Sequence, residues 1–302
     1  MAKERNMSHS TLAVGQVEIT VLHDSEVALS FNRTFPDVPE EARARYVERY
    51  PDAYTKSATG NASLRVHFEC YLVRSQGRTL LVDTGLGDSN SNPNVVAQIG
   101  SGIDGVLLSE LEKAGFKAAD VDTVFLTHLH PDHVGWNVTR PTADSAAEVA
   151  PTFPNARYVA HEADWRAFDA PRDSEIFGYD WWAQTVAPLR RLGVLDLITD
   201  ETEVTGELII TPTPGHTPGS MSLIVNSGGE KAYMMGDVFH GPAQVTETDW
   251  VFHYDMDPDT AGKTRNIMLD RAEQENAAIA ICHHSGFGRV VRESGKRYWQ
   301  AL

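Results

Sequence analysis

The segment Thr127-His128-Leu129-His130-Pro131-Asp132-His133-Val134-Gly135 places three imidazoles and a carboxylate within six residues, His128 to His133. Buried together, such groups lose hydration without gaining partners unless a cation compensates them. Any fold for this chain therefore has to gather them around a common point. Just upstream, Val121-Asp122-Thr123-Val124-Phe125-Leu126 reads as a buried strand, so the cluster lies on a loop beyond a strand end, where a sheet can position it.

The surrounding pattern is that of a globular protein with alternating strands and helices. Val17, Ile19 and Val21 alternate with Glu18 and Thr20, as a half-buried strand requires. Leu64 to Val73 and Thr79 to Val82, split by Ser75-Gln76-Gly77-Arg78, read as a hairpin. Between these elements, the segment from Phe31 to Gly60 lacks period-2 alternation. It reads as a surface insert or a lid over a pocket, with a short helix at Glu40 to Glu48. An amphipathic helix is expected over Ile103 to Ala114, ending at Gly115. In the second half, Arg157 to Ala160 and Leu208 to Thr211 read as strands and Trp181 to Arg191 as a helix. Ser222 to Val225 faces Ala232 to Met235 across Ser227-Gly228-Gly229-Glu230, and Ala277 to Cys282 reads as the last strand. Residues 1–302 are expected to form one domain of two packed halves, about 15–140 and 155–292.

Composition narrows the function classes. With 41% hydrophobic residues the chain can bury a large core, and its formal charge of -16, without a basic stripe, argues against nucleic-acid binding. No apolar run approaches the roughly 20 residues of a membrane span, and no apolar stretch follows Met1-Ala2-Lys3-Glu4-Arg5 as a secretory signal would. Cys70 and Cys282 are too few for a disulfide framework and are expected to be reduced and buried, which fits residence in the cytoplasm.

Further ligand-type residues stand in well-marked turns: His216 in Thr213-Pro214-Gly215-His216-Thr217-Pro218-Gly219, Asp237 in Met235-Gly236-Asp237, and His283 or His284 after the strand ending at Cys282. The i,i+2 spacing lets His128 and His130 converge on one cation while Asp132 and His133 turn toward a second. A carboxylate such as Asp237 can bridge two ions about 3.5–4 Å apart. Gly85 and Gly87 invite a phosphate-loop reading, but neither GxxxxGK nor a dinucleotide fingerprint accompanies them. Trp136, Trp181, Trp182, His240 and Phe287 are pocket candidates by proximity or aromatic character, with core packing the alternative for each.

In its HxHxDH motif and its later Gly-His and Gly-Asp turns, the chain resembles the metallo-beta-lactamase-fold hydrolases from Val17 through His283. The resemblance implies an α+β fold, the four-layer αβ/βα sandwich, with two divalent metal ions, zinc being expected, at the upper edge of both sheets. It implies His128, His130 and His216 on one metal, Asp132, His133 and His283 on the other, and Asp237 between them. If the strand ends one residue later, His284 takes the place of His283. Asp83, in Leu81-Val82-Asp83-Thr84-Gly85, would support the metal shell by orienting a liganding imidazole; its alternative is to cap the turn.

The expected chemistry is attack of metal-bound hydroxide on a small-molecule lactone or carboxylic ester, with Asp132 moving the proton to the leaving group. Gly236 to His240 and the overall length are nearest the lactonase and organophosphate or aryl-ester hydrolase branch. The aromatic region Phe177 to Trp182 would suit an apolar chain. Phosphotriesterase or thioesterase activity at the same centre, or a non-hydrolytic di-iron redox protein, are the rival readings. The last would normally add a flavin domain and replace some nitrogen ligands with carboxylates, and neither feature is expected here. A monomer or a homodimer is expected.

Overall fold

In the computed structural model, residues 9–56, 62–92, 103–141, 148–169 and 181–302 are described. Strands in chain order are β1 Thr11–Val14, β2 Val17–Ser30, β3 Tyr54–Lys56, β4 Ala62–Ser75, β5 Arg78–Val82, β6 Thr123–Phe125, the short ribbon β7 Val138–Thr139 and β8 Ala150–Pro151, then β9 Arg157–His161 and β10 Leu195–Ile198. They continue with β11 Thr202–Thr205, β12 Leu208–Pro212, β13 Met221–Ser227, β14 Glu230–Met234, β15 Ala278–Ile281, β16 His284–Glu293 and β17 Lys296–Ala301. The first sheet runs β1-β2-β4-β5-β6-β9-β10, with β3 added beside β4, and the second runs β11 to β17 in sequence order.

The two sheets pack face to face. Ile19, Tyr71, Val73, Leu80 and Phe125 of the first meet Leu208, Ile210, Leu223, Val225 and Met234 of the second in a shared buried core. The outer face of the first sheet, with Leu72, Leu81 and Val124, is covered by Leu107 and Leu111 of a helix at Leu107–Lys113, Trp165 and Phe168 of one at Glu162–Asp169, and Leu189 of one at Ala187–Arg191. The outer face of the second, with Ile224, Tyr233 and Ile279, is covered by Met268, Leu269 and Ala272 of a helix at Pro258–Gln274. Helix, sheet, sheet and helix give the expected four-layer αβ/βα sandwich.

The strand pairs expected around Ser75 to Arg78 and Ser227 to Glu230 both form as hairpins. Three features depart from the sequence reading. Ala277 to Cys282 does not contain the last strand, because β16 and β17 follow as a hairpin turning at Ser294 and Gly295, both with positive φ. These strands carry too many charged residues for alternation to reveal them. The helix at Pro258–Gln274 was not expected, although Asp257 caps it by accepting from Thr260 N at 3.1 Å and Pro258 opens its first turn. Its buried stripe is Ala261, Thr264, Arg265, Met268, Leu269 and Ala272, so polar residues at Thr264 and Arg265 disguise a regular helical spacing. Finally, the helix expected over Trp181 to Arg191 is broken in type: Trp182–Val186 is a π-turn leading into the α-helical Ala187–Arg191. Pro188 cannot donate to Gln184 and would clash with its carbonyl in a regular helix; that carbonyl instead accepts from Arg140.

The insert from Phe31 is a packed layer through the residues described. Phe31, Phe35, Tyr46, Tyr50 and Tyr54 are buried with Trp250 and Phe252 in the core outside the second sheet, and a helix spans Glu40–Arg49. Residues 57–60 of the insert lie outside the described residues.

One carboxylate sets the entry to the helix at Leu107–Lys113. Asp24 is the extra residue of a bulge in β2, opposite β4, where the register shifts between His23 and Ser25. Fully buried, it accepts hydrogen bonds from Leu86 N at 2.7 Å, Leu107 N at 2.8 Å and the Trp136 indole at 2.9 Å. A Cβ on Gly85, whose φ is +61°, would lie 2.4 Å from the Asp24 carboxylate, so glycine there serves close packing. The helix begins at Leu107, later than expected, because Gly105 to Leu107 is the stretch tied to Asp24. Asp24→Ala leaves three buried donors without partners. At about 1–3 kcal/mol for each unsatisfied group, urea unfolding should show a loss of at least about 3 kcal/mol; a change below about 1 kcal/mol would contradict this role.

Candidate metal centre

Every residue of the centre comes from a loop at one edge of the sandwich. Asp83 follows β5, His128 to His133 follow β6, His216 lies between β12 and β13, Asp237 follows β14 and His283 follows β15. Backbone bonds join the sheets there: Met221 N donates to Thr127 O at 2.8 Å, and His67 N and Glu69 N of β4 donate to His283 O and Cys282 O at 3.3 Å.

Two groups of ligand atoms result. In the first, His128 Nε2 lies 3.1 Å from His130 Nδ1, which lies 2.9 Å from His216 Nε2. In the second, His133 Nε2 is 3.4 Å from Asp237 Oδ1, His283 Nε2 is 3.2 Å from Asp237 Oδ2, and Asp132 Oδ2 is 3.7 Å from both imidazoles. Asp237 Oδ2 also stands 3.3 Å from His216 Nε2 and 3.7 Å from His128 Nε2, so this carboxylate joins both groups. Around a tetrahedral ion with bonds of about 2.0–2.1 Å, neighbouring ligand atoms are about 3.3 Å apart, close to these separations.

The outer ring nitrogens decide which atoms face inward. His133 Nδ1 bonds Asp83 Oδ2 at 2.9 Å, His216 Nδ1 bonds Asp255 Oδ1 at 3.0 Å and His283 Nδ1 bonds the His67 carbonyl at 2.8 Å. His128 Nδ1 lies 3.2 Å from Thr127 Oγ1, whose own hydrogen goes to Asp83 Oδ2 at 2.8 Å, so the imidazole is the donor. Four histidines thus commit their Nδ1 hydrogen outward and turn Nε2 lone pairs toward the centre. Two inward atoms, His133 Nε2 and Asp237 Oδ1, are buried without a hydrogen-bond partner. This donor set fits a pair of divalent cations.

Electrostatics agree with that arrangement. Burial, followed by the His133 imidazole, holds His128 well below the usual imidazole range; burial and His216 do the same for His130. Burial also opposes the charge on Asp237, but His283, His133, His240 and His128 overcome it and keep the carboxyl well below its ordinary value. Asp132 is the exception in burial, with its side chain 24% exposed against 4% for Asp237 and His283, so the centre opens beside Asp132.

Asp83 accepts from Thr127 N at 2.7 Å as well as from His133 and the Thr127 hydroxyl, so it fastens the histidine loop and orients one imidazole. Two supporting carboxylates were not recognisable in sequence. Asp255 holds His216 and is itself bonded by the buried Arg265, and both follow segments with no motif. Asp164 accepts from Leu129 N at 3.1 Å, Thr217 Oγ1 at 2.9 Å and Gly219 N at 2.6 Å, joining the loops of His130 and His216.

His283 reaches the centre and His284 does not. The His284 ring turns to Trp299, with centroids 4.4 Å apart. Cys282 lies next to His283, but its Sγ donates to Glu69 O and approaches His133 at Nδ1, the nitrogen bonded to Asp83; burial pushes its thiol up to about 12. Among the pocket candidates, His240 touches the centre, with Nε2 3.2 Å from Asp237 Oδ2 and its ring stacked 3.5 Å from Phe252. Trp181 is one ring removed, 5.8 Å from Phe168, which packs 5.5 Å from His130. The other three are core residues away from the histidines: Trp136 bonded to Asp24, Trp182 against Trp165, and Phe287 between the sheets near Tyr71. Large aromatic side chains bury more area in a core than at a pocket wall, which sequence proximity cannot distinguish. Phe177 lies outside the described residues.

The profile of the metallo-beta-lactamase superfamily matches residues 69–283, which include all the candidate ligands. The chain belongs to the metallo-beta-lactamase superfamily. Within it, the chain is 27% identical over 249 residues to the uncharacterized protein YobT of Bacillus subtilis, covering 77% of this chain and 88% of that one. It is 24% identical over 168 residues to an N-acyl homoserine lactonase of a Bacillus species, spanning 52% of this chain and only 58% of the relative. Solved structures of the same fold include the hydrolase AbOPH, at 24% identity and TM-score 0.80 with 99% of both chains covered. Another is AidC, a dizinc quorum-quenching lactonase with bound product, at 21% identity and TM-score 0.78, covering 98% of this chain and 97% of that one.

Loss of a carboxylate that orients a liganding histidine typically weakens metal binding by about 10–100-fold. Asp255→Asn is therefore expected to lower affinity by that factor in a chelator competition titration. Unchanged affinity would remove Asp255 from the supporting role.

Proposed function

We propose that this chain is a dinuclear metal-dependent hydrolase of lactones or carboxylic esters. The reading rests on one observation: inward-facing imidazole nitrogens and two carboxylates form two groups joined by Asp237, with four of the imidazoles fixed by outward hydrogen bonds. His128, His130 and His216 would hold one ion and Asp132, His133 and His283 the other, with Asp237 placed to reach both. Nitrogen and oxygen donors at near-tetrahedral spacing favour zinc, the metal named for AidC.

Bound at this centre, two divalent ions supply Lewis-acid polarisation of an acyl oxygen and bring the pKa of water toward neutrality. The chain does the rest. Asp132, the partly exposed carboxylate at the mouth, takes up the proton that the attacking water loses and returns it to the leaving alkoxide. His240, held near a pKa of about 4 by burial, stays neutral and buttresses Asp237 from the interior. Phe68, Phe168 and Phe252 pack their rings against His283, His130 and His240, so the centre is backed by apolar side chains, which favours a neutral acyl group over a charged one. The N-acyl homoserine lactonases among the relatives act on molecules of this kind.

The acidic balance supports a small-molecule substrate over nucleic acid. Among the described residues no helix is long and apolar enough to cross a membrane. Both cysteines are free and buried, which supports a reducing compartment such as the cytoplasm.

Metal-loaded protein assayed against lactones, aryl esters, thioesters, phosphotriesters, phosphodiesters and beta-lactams should show its highest kcat/KM on a lactone or carboxylic ester. Preference for a phosphodiester over all of these would overturn the substrate class. His130→Ala should lower kcat/KM by more than about 100-fold together with metal content, exceeding what loss of a supporting carboxylate produces; equal activity at unchanged stoichiometry would reject its role.

A further inference from the structure

A second group of metal-type ligands lies outside this centre, across β2 and β4. The bulge at Asp24 is what creates it. His23 pairs with Glu69 and Glu26 pairs with His67, so the extra residue lets His23 and Glu26, three apart in sequence, face the same side as His67 and Glu69. His23 Nδ1 is 3.2 Å from Glu69 Oε1, and His67 Nδ1 is 3.6 Å from Glu69 Oε1 and 3.7 Å from Glu26 Oε2. These three separations are of the size found between neighbouring ligands of a divalent ion, and His23, Glu26 and His67 offer ligand atoms that all lie within 4.8 Å of one another.

Hydrogen bonding alone does not account for the group. The Glu69 side chain is 1% exposed, yet its Oε2 has no hydrogen-bond partner, and neither does the buried His67 Nδ1. Among the described residues, Glu69 forms ion pairs only with His23 and His67, and no lysine or arginine neutralises it. A buried carboxylate without a cation is costly. Two neutral imidazoles, two carboxylates and one divalent ion would balance in charge. The group also has an entry path, because it lines a cleft of about 470 Å³ together with His284 and Trp299 of the second sheet.

We propose that His23, Glu26, His67 and Glu69 form an additional binding site for a divalent transition metal, of the zinc class, separate from the Asp237 centre. No ligand is shared between the two. They are nevertheless connected through β4, since the His67 carbonyl accepts from His283 Nδ1 and Glu69 is bonded to Cys282 through both its N–H and its carbonyl. A metal here clamps β2 to β4 directly behind a ligand of the other centre.

Full-length protein saturated with Zn2+ and desalted should retain one more equivalent, by elemental analysis, than the double variant His23→Gln/Glu26→Gln. Both substituted side chains are partly exposed, so the strands keep their packing, and retention of the other equivalents by the variant reports that it is folded. Zinc should raise the Tm of apo wild type further than that of the variant. Equal stoichiometry in folded wild type and variant would overturn the proposal. Anomalous diffraction from zinc-soaked wild-type crystals tests it without any substitution: a peak between His23 and Glu69 is expected, and density only beside Asp237 would refute the site.

Discussion

The constraint on which this structure depends is the convergence of imidazole lone pairs. Nitrogens at 2.9 and 3.1 Å from one another within the His128, His130 and His216 group would normally share protons as hydrogen bonds. Here His128 and His216 already place a hydrogen on Nδ1, in bonds to Thr127 and Asp255. An inner proton on His128 or His216 would create an imidazolium ion in a buried space, which burial resists at His128, and a single proton on His130 Nδ1 can serve only one of the two nitrogens facing it. A metal cation is the partner that satisfies every inward nitrogen at once, so the fold is organised around a centre that its own hydrogen bonds leave incomplete.

The loops bearing these ligands are held by buried carboxylates more than by the ligands themselves. Asp83, Asp164 and Asp255 each reach a ligand loop from a different element, and Asp24 fixes the adjoining loop at Leu86. Each accepts at least two hydrogen bonds from backbone or neutral side chains, or a mixture of these and a charged partner. Their desolvation is offset by specific geometry, which makes the ligand positions insensitive to rotamer changes nearby. The bulge at Asp24 has a double effect, since one inserted residue both supplies that anchor and brings His23 and Glu26 to the same face.

Legibility in the sequence followed the range of the interactions. Strands such as Val17 to Val21 and the hairpin around Ser227 to Glu230 were readable because alternation and turn chemistry are local. The convergence of the candidate ligands was readable because HxHxDH is dense, and because the Gly-His and Gly-Asp turns need backbone that few other residues adopt; Gly215 and Gly236 both have positive φ. Asp164, Asp255 and Arg265 were not, because their roles arise from contacts ten or more residues apart and no local pattern marks them. Trp136, Trp182 and Phe287 show the same limit from the other side: an aromatic near a motif in sequence packs wherever the core has room.

The most direct measurement of the central claim is the position of bound metal in crystals of the loaded protein, located by anomalous scattering. Two ions about 3.5–4 Å apart, one among His128, His130 and His216 and the other among Asp132, His133 and His283, with Asp237 touching both, are the predicted result. A single ion, or a pair in which Asp237 contacts neither, would contradict the account.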